Sequence, residues 1–178
     1  MSAEQNRYAA PRARVDDVAA PAAATGPQGI GGWLILPLLG LIATPFRVGF
    51  LTLRDLLPAF EPETWNVLTT PGSGFDHPLW APMLIFEVTA NCVVILFSIV
   101  LLWLFFKKSK RVPMLVITWY LVIIGAQIVD EVLGGRIPAV AAADDGTSLR
   151  ELARSVGTAL IWIPYFLVSK RVKNTFVR

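Results

Sequence analysis

Long apolar blocks separated by short polar connections dominate the hydrophobic pattern of the chain. Four of these blocks approach or exceed the roughly 18 to 20 residues that a helix needs to cross about 30 Å of hydrocarbon. They lie at about residues 33–55, 82–106, 113–133 and 150–169. The pattern predicts an all-α integral membrane protein with four antiparallel transmembrane helices.

The composition changes along the chain in a way that divides it into a tail and a domain. Over 178 residues the chain is 54% hydrophobic and 16% charged, with a mean hydropathy of +0.58, which is more apolar than an ordinary soluble domain. Residues 1–28 are instead rich in Ala, Pro and charge, which is typical of a disordered tail. They lack the apolar core of a signal peptide, so the first helix is expected to be an uncleaved anchor. We therefore predict a disordered tail at 1–28 and a four-helix transmembrane domain at 29–178.

The distribution of basic residues predicts how the helices are oriented. Eleven of the 16 Lys and Arg residues flank alternate ends of the four blocks, so they fall on one side of the predicted membrane: Arg7, Arg12, Arg14, Lys107, Lys108, Lys110, Arg111, Lys170, Arg171, Lys173 and Arg178. The connection at about 58–81 contains no Lys or Arg. The positive-inside rule then places both termini and the "KKSKR" turn in the cytoplasm.

Each predicted helix also carries polar residues at a similar distance from its outer end. At a rise of 1.5 Å per residue, these residues form one layer within the outer half of the membrane. They recur largely at intervals of three or four, which places them on one face of each helix. The candidate cluster consists of Arg47, Glu87, Asn91, Gln127, Asp130 and Arg154.

Charged groups in hydrocarbon normally face the bundle interior and form pairs. We therefore expect Arg47 to pair with Glu87 or Asp130 inside a polar chamber that opens to the outer side. Two roles for the layer remain open. It either fixes the register of the helices through buried hydrogen bonds, or it binds a ligand, ion or partner.

The sequence gives little support for catalysis or for a cofactor. Ser73 lies between glycines in "PGSGF", as in the nucleophile turns of hydrolases, but no intramembrane histidine is available as its base. His77 is the only histidine, and its acidic neighbours lack the spacing of metal ligands. We predict no catalytic, cofactor-binding or metal site. The basic clusters flank membrane helices, so we expect no nucleic-acid binding.

Two stretches carry a resemblance to a known family. "GIGGWLILPLLGLIATPFRV" at 29–48 and "ALIWIPYFLVSKRVKNTFVR" at 159–178 resemble a bacterial four-helix membrane family catalogued as domain of unknown function 2569. The resemblance covers about residues 29–178 and implies a location in the bacterial inner membrane. It implies no activity. The second stretch ends in a basic segment with Phe176. An ordinary positive-inside anchor is the favoured role for this segment, and the alternative expectation is that it lies along the inner leaflet, attracted by anionic headgroups.

For function, the absence of catalytic constellations favours a non-enzymatic membrane protein that acts as an accessory or scaffold subunit. Its expected partners are membrane lipids together with a protein partner or further copies of the same chain. The alternative is a small transporter or solute-binding protein that uses the polar layer. A chamber with ordered water would favour this alternative, whereas tight pairing of every polar group would favour the scaffold.

Overall fold

The computed structural model describes Gly26 and residues 28–178, and all of its regular elements are helices. The predicted disordered tail at 1–28 lies outside the described residues except for Gly26 and Gln28. The α-helices are α1 (Ile35–Leu51), α2 (Pro62–Thr69), α3 (Trp80–Phe106), α4 (Val112–Gly134), α5 (Pro138–Ala143), α6 (Thr147–Val168) and α7 (Lys170–Thr175).

Three helical segments are long and apolar enough to cross a membrane. They are Gly32–Phe60, Trp80–Phe106 and Val112–Gly134, with 29, 27 and 23 residues. They coincide with the first three predicted blocks. The part of the chain that the structure describes is thus all-helical, with three long apolar helices.

The first of these segments is not a uniform α-helix. It begins with a 3₁₀ turn at Gly32–Leu34 and continues as α1, which contains Pro45. Because proline has no N–H, it removes one hydrogen bond of the helix ladder. After α1 the chain widens into a π-helical turn at Thr52–Leu56, a local distortion that is frequent at functional sites. Arg47 lies between these two irregularities.

The core is built by helix faces that bury a side chain every three or four residues. In α3 these include Val94, Ser98, Leu101 and Phe105, and in α4 they include Val112, Val116, Trp119 and Tyr120. The spacing matches the helical repeat, so each helix presents one stripe to its neighbour. Two buried polar groups of this stripe, those of Ser98 and Trp119, are paired. The indole N–H of Trp119 donates to the Ser98 hydroxyl at 2.9 Å, and that hydroxyl donates to the Val94 carbonyl at 2.7 Å.

α6 occupies the place of the fourth predicted block and packs against α4. It has 22 residues, but Arg150, Glu151 and Arg154 lie in its first two turns. These charges lower its mean hydropathy, which explains why it is not among the three segments that qualify as spans by length and composition. Its other end leads into α7, beside the turn that joins α3 to α4.

The C-terminal segment packs onto the bundle, which corrects the expectation that it lies along the inner leaflet. Phe176 is buried, with its ring centroid 5.0 Å from that of Phe105. The backbone N–H of Lys110 donates to the Arg178 carbonyl at 2.6 Å, and the Arg178 N–H donates to the Lys108 carbonyl at 3.2 Å. An amphipathic helix with an apolar core nearby gains more by burying its aromatic ring there than by resting at an interface. We call this end of the bundle, with residues 107–111 and 170–178, the basic end, and the opposite end, with α2 and α5, the acidic end.

The order of helix packing leaves one side of the bundle open. α1 packs on α3, α3 on α4, and α4 on α6, whereas α1 and α6 do not pack closely along their length. We call the gap between α1 and α6 the seam. Toward the basic end the seam closes, because Leu41 of α1 and Phe166 of α6 belong to the same buried core.

Candidate functional site

Four helices surround an inner cavity of about 270 Å³ halfway along the bundle. Its wall combines small and polar side chains from all four helices with larger apolar side chains such as Trp119, Ile123 and Ile124. The lining includes Gly40, Thr44, Arg47, Asn91, Gln127, Arg154, Ser155 and Thr158. Gly40 has no side chain, and a Cβ at its position would meet no other atom within 4 Å. The cavity therefore reaches the seam.

A second, outer cavity of about 560 Å³ adjoins the inner one and extends to the acidic end. Near that end it reaches Ala59, Leu68 and Trp80, and it carries more acidic groups than the inner cavity. Its polar lining includes Arg47, Thr52, Asp55, Glu87, Asn91, Gln127, Asp130 and Glu151. Arg47, Asn91 and Gln127 line both cavities. We call the two cavities together the chamber.

All six residues of the sequence-predicted cluster line this chamber. Glu87 and Asp130 line the outer cavity, and Arg154 lines the inner one, while Arg47, Asn91 and Gln127 lie where the two cavities adjoin. The structure thus brings the cluster together. That these residues bind a ligand remains a prediction.

The predicted partner of Arg47 was wrong. Its guanidinium forms an ion pair with Glu151 of α6, across the seam, and not with Glu87 or Asp130. The reason is that α1 directs the side chain of Arg47 toward the seam. The side chains of Arg47 and Glu151 are 58% and 40% exposed, and they reach each other across the seam. Glu87 and Asp130 instead belong to α3 and α4 on the opposite wall.

Glu151 is not part of the cluster predicted from the sequence. Its spacing contained a usable signal, because Glu151, Ser155 and Thr158 are separated by four and three residues. Residues at these intervals share a helix face. In the structure all three line the chamber. Because Glu151 lies near the end of the predicted helix, its spacing to Ser155 and Thr158 was not recognised as part of the polar layer.

Two buried acceptor atoms in the chamber wall have no hydrogen-bond partner among the described residues. They are Oε1 of Gln127 and Oδ1 of Asp130, which lie one turn apart on α4. A buried polar atom without a partner costs about 1–3 kcal/mol. Asn91, on the facing helix, is engaged, because its amide donates to the Thr52 hydroxyl at 3.0 Å. The wall of α4 therefore has unused capacity to accept hydrogen bonds.

The floor of the chamber is apolar and closed. Below the Trp119–Ser98 hydrogen bond, the packing of Pro37, Leu101 and Phe166 leaves a void of only about 10 Å³. A space of this size is at the lower limit for one water molecule. The chamber is therefore blind at the basic end.

The loop residues considered for catalysis have turn-forming roles. The Ser73 hydroxyl donates to the Val67 carbonyl, and His77 Nδ1 accepts from the backbone N–H of Leu79 at 3.3 Å. Among the described residues, no group of three or more His, Cys, Asp or Glu side chains is arranged to hold a metal ion.

Comparison with known proteins assigns the chain to a family. The model of a protein family of unknown function, DUF2569, matches residues 27–177. The chain belongs to this family. A relative named inner membrane protein YdgK, from Escherichia coli strain K12, is 30% identical over 154 residues, which cover 86% of this chain and 97% of the relative. No solved structure matches the chain.

The two stretches that carried the DUF2569 resemblance meet at the basic end. A Cβ added at Gly31 would lie 3.1 Å from a guanidinium nitrogen of Arg171, so this glycine allows the arginine to approach closely. The hydroxyl of Thr175 donates to the Gly29 carbonyl at 3.3 Å. Most of the sequence pattern thus builds the closed end of the bundle. Arg47, near the end of the first stretch, is the part of it that reaches the chamber.

Proposed function

We propose that this DUF2569 protein spans the bacterial inner membrane four times, with both termini in the cytoplasm and the acidic end outside. The name of the YdgK relative supports the inner membrane. The position of Arg178 beside Lys108 and Lys110 supports a fourth span, because α6 connects the acidic end to the basic end. The concentration of Lys and Arg at the basic end supports the orientation.

We further propose that the protein binds a small polar solute in its chamber, as a binding or transport protein. The observation that carries this proposal is the pair of unpartnered buried acceptors, Gln127 Oε1 and Asp130 Oδ1, in the wall of a four-helix cavity. A purely structural polar layer would pair its own buried groups. A bound donor satisfies these atoms instead. The charged, amide and hydroxyl groups of the chamber form no nucleophile–base pair among the described residues, which favours binding without catalysis.

The Arg47–Glu151 pair is well placed to control entry. Arg47 lines both cavities, whereas Glu151 lines only the outer one, so their bridge lies where the two adjoin. It also connects two helices that otherwise do not pack closely. With the floor closed by the apolar core, the chamber admits solute from the acidic end, and transport requires a rearrangement of that core.

The test is mass spectrometry of the small molecules that remain on the protein after purification in mild detergent. Ala126 lines both cavities, so Ala126→Phe fills the space between them. Ala153 is an exposed residue of α6 outside both cavities, and Ala153→Phe is the matched control. We expect a solute on the wild type and on the control that is depleted on Ala126→Phe.

A thermal unfolding curve of each variant separates loss of solute from loss of fold. If the wild type carries no solute that depends on position 126, while Ala126→Phe unfolds normally, the chamber is not a binding site. An equal amount of solute on both phenylalanine variants would also reject the proposal.

The accessory role predicted from the sequence remains a second proposal, favoured by the exposed aromatic segment at the acidic end. Phe75 is 62% exposed, and Phe60 stacks on Trp65 with ring centroids 5.4 Å apart. Exposed aromatic side chains are frequent anchors of protein interfaces. A stoichiometric partner that co-purifies with the wild type and with Thr70→Ser, but not with Phe75→Ser, would support this role.

A further inference from the structure

Three charged residues of the chamber have no ion-pair partner among the described residues. They are Glu87 of α3, Asp130 of α4 and Arg154 of α6. Isolated charges within a membrane bundle are costly, and they normally occur in pairs or beside a ligand. The Arg47–Glu151 bridge shows that the same chamber does pair charges where its geometry allows. The three remaining charges therefore point to an occupant.

These charges are separated along the chamber by sign. Glu87 and Asp130 line only the outer cavity, and Arg154 lines only the inner one. Asn91 lies one turn below Glu87 on α3, and Gln127 lies one turn below Asp130 on α4, so amides from two helices lie between the two charged zones. The chamber thus presents acceptors for a cation, then amides, then a donor for an anion.

We propose that the chamber binds a zwitterion, and this inference rests on the proposed solute-binding function. The ammonium group of the zwitterion lies between Glu87 and Asp130, and it donates to their carboxylates. Its carboxylate or phosphate accepts hydrogen bonds from the guanidinium of Arg154, a geometry that suits arginine. Gln127 Oε1 accepts from the ammonium or from another donor of the ligand.

Two sources offer this chemistry: a free amino-acid-like solute and the phosphoethanolamine headgroup of a membrane lipid. The seam gives a lipid a route, since Gly40, which lines the inner cavity, has no side chain to fill it, and a Cβ at this position would meet no other atom within 4 Å. The acidic end gives a free solute its own route through the outer cavity. The charge pattern that each ligand meets is the same.

The first experiment measures binding to the full chain in dodecyl maltoside by isothermal titration calorimetry. The zwitterionic probes are glycine, β-alanine and O-phosphoethanolamine, and the singly charged probes are ethanolamine, acetate and inorganic phosphate. We expect at least one zwitterion to bind about tenfold or more tightly than either of its singly charged analogues, because each charge adds a charge-assisted contact.

Variants assign the two ends of the ligand. Arg154→Gln should weaken the preferred zwitterion about tenfold and leave ethanolamine unchanged, while Glu87→Gln and Asp130→Asn should weaken both. Arg136→Gln is the matched control, because Arg136 is exposed at the acidic end and lines neither cavity. Equal affinity for zwitterions and singly charged probes, or an equal effect of Arg154→Gln and Arg136→Gln, would overturn the inference.

Nanodiscs distinguish the two sources. Competition of phosphatidylethanolamine nanodiscs, but not phosphatidylglycerol nanodiscs, with the bound probe identifies the headgroup as the source, and unchanged binding in both identifies a free solute.

A singly charged or neutral solute that binds the wild type but not Ala126→Phe overturns the zwitterion and leaves the proposed function intact. If no probe or retained solute depends on position 126, both proposals fail.

Discussion

At the scale of single residues, the ion pair that Arg47 forms explains why the apolar helix α1 contains a charged side chain. The position faces the seam, where a long side chain stays partly exposed and reaches Glu151 on another helix. Pro45 and the π-helical turn at Thr52–Leu56 interrupt the regular ladder on either side of it. The arginine thus connects two helices that have little other contact.

We predict measurable energetic coupling between Arg47 and Glu151. Because both side chains are partly exposed, the coupling should be modest, about 0.5–1 kcal/mol. A double-mutant cycle with Arg47→Gln and Glu151→Gln measures it as the free energy of unfolding in mixed micelles of dodecyl maltoside and SDS.

A parallel cycle with Arg47→Gln and Glu87→Gln serves as the control. Since these two residues form no ion pair, their effects should add to within about 0.3 kcal/mol. A larger coupling to Glu87 than to Glu151 would contradict the observed pairing and restore the one expected from the sequence.

Asp145, in the loop before α6, gives a prediction about pH. Its carboxylate accepts the backbone N–H of Thr147 at 2.9 Å, and hydrogen bonds from the side chain and then the backbone of Thr147 hold the pKa of Asp145 below its ordinary value of 3.8. A lowered pKa in the folded protein means that the carboxylate stabilises the fold above the ordinary pKa and loses this effect as the pH falls through the folded value.

Asp145→Asn should therefore lower the melting temperature at pH 7, and the difference from the wild type should shrink as the pH approaches 3. Melting curves from pH 3 to 7 measure this dependence. Asp76→Asn is the control, because it alters an exposed loop carboxylate that has no side-chain hydrogen bond among the described residues. A difference for Asp145→Asn that does not vary with pH would reject the role of the charged form.

At the scale of helices, the length of each apolar block predicted where the long helices lie. The spacing of Glu87 and Asn91, and of Gln127 and Asp130, predicted the faces that line the chamber, because the helical repeat fixes which residues of one helix share a face. The partner of Arg47 was not predictable in this way. It depends on how α1 and α6 are rotated about their axes and on the gap between them. Neither quantity can be inferred from the spacing of residues within one helix.

The segment after α6 shows the same limit. Basic residues around Phe176 suggested an interfacial segment, but Val172, Thr175 and Phe176 are buried against the bundle. Their spacing of three and one resembles that of any short amphipathic helix. This apolar face packs on protein because α3 and α4 leave an apolar surface uncovered at the basic end. The sequence of the segment itself does not reveal that surface.

We predict that Phe176 contributes strongly to the stability of the basic end. Its ring is 5% exposed and makes an edge-to-face contact with Phe105, so Phe176→Ala should cost about 3 kcal/mol of unfolding free energy. Val177→Ala is the control, because Val177 is 66% exposed and should change stability by less than about 0.5 kcal/mol. Unfolding in mixed micelles compares them, and similar effects of the two variants would mean that the segment is not packed in the membrane-embedded protein.

At the scale of the whole molecule, the two ends of the bundle have different physical tasks. The basic end is sealed by apolar packing and by the backbone hydrogen bonds between residues 108–110 and Arg178. The acidic end contains the outer cavity and most of the loop residues. Because only the acidic end is open, the orientation of the protein decides from which side of the membrane a solute enters the chamber.

The number of spans and their orientation are tested by one set of cysteine variants. Cys92 is replaced by Ser, and single cysteines are introduced at Ser73, Ser109 and Lys173, which lie in the α2–α3 connection, the α3–α4 turn and α7. Four spans place Ser73 outside and both Ser109 and Lys173 in the cytoplasm. We therefore expect a membrane-impermeant maleimide to label only Ser73→Cys in intact spheroplasts, and to label all three after permeabilisation. Labelling of both Ser73→Cys and Lys173→Cys in intact spheroplasts would mean that α6 does not cross the membrane. Labelling of both Ser109→Cys and Lys173→Cys, without Ser73→Cys, would mean that the orientation is reversed.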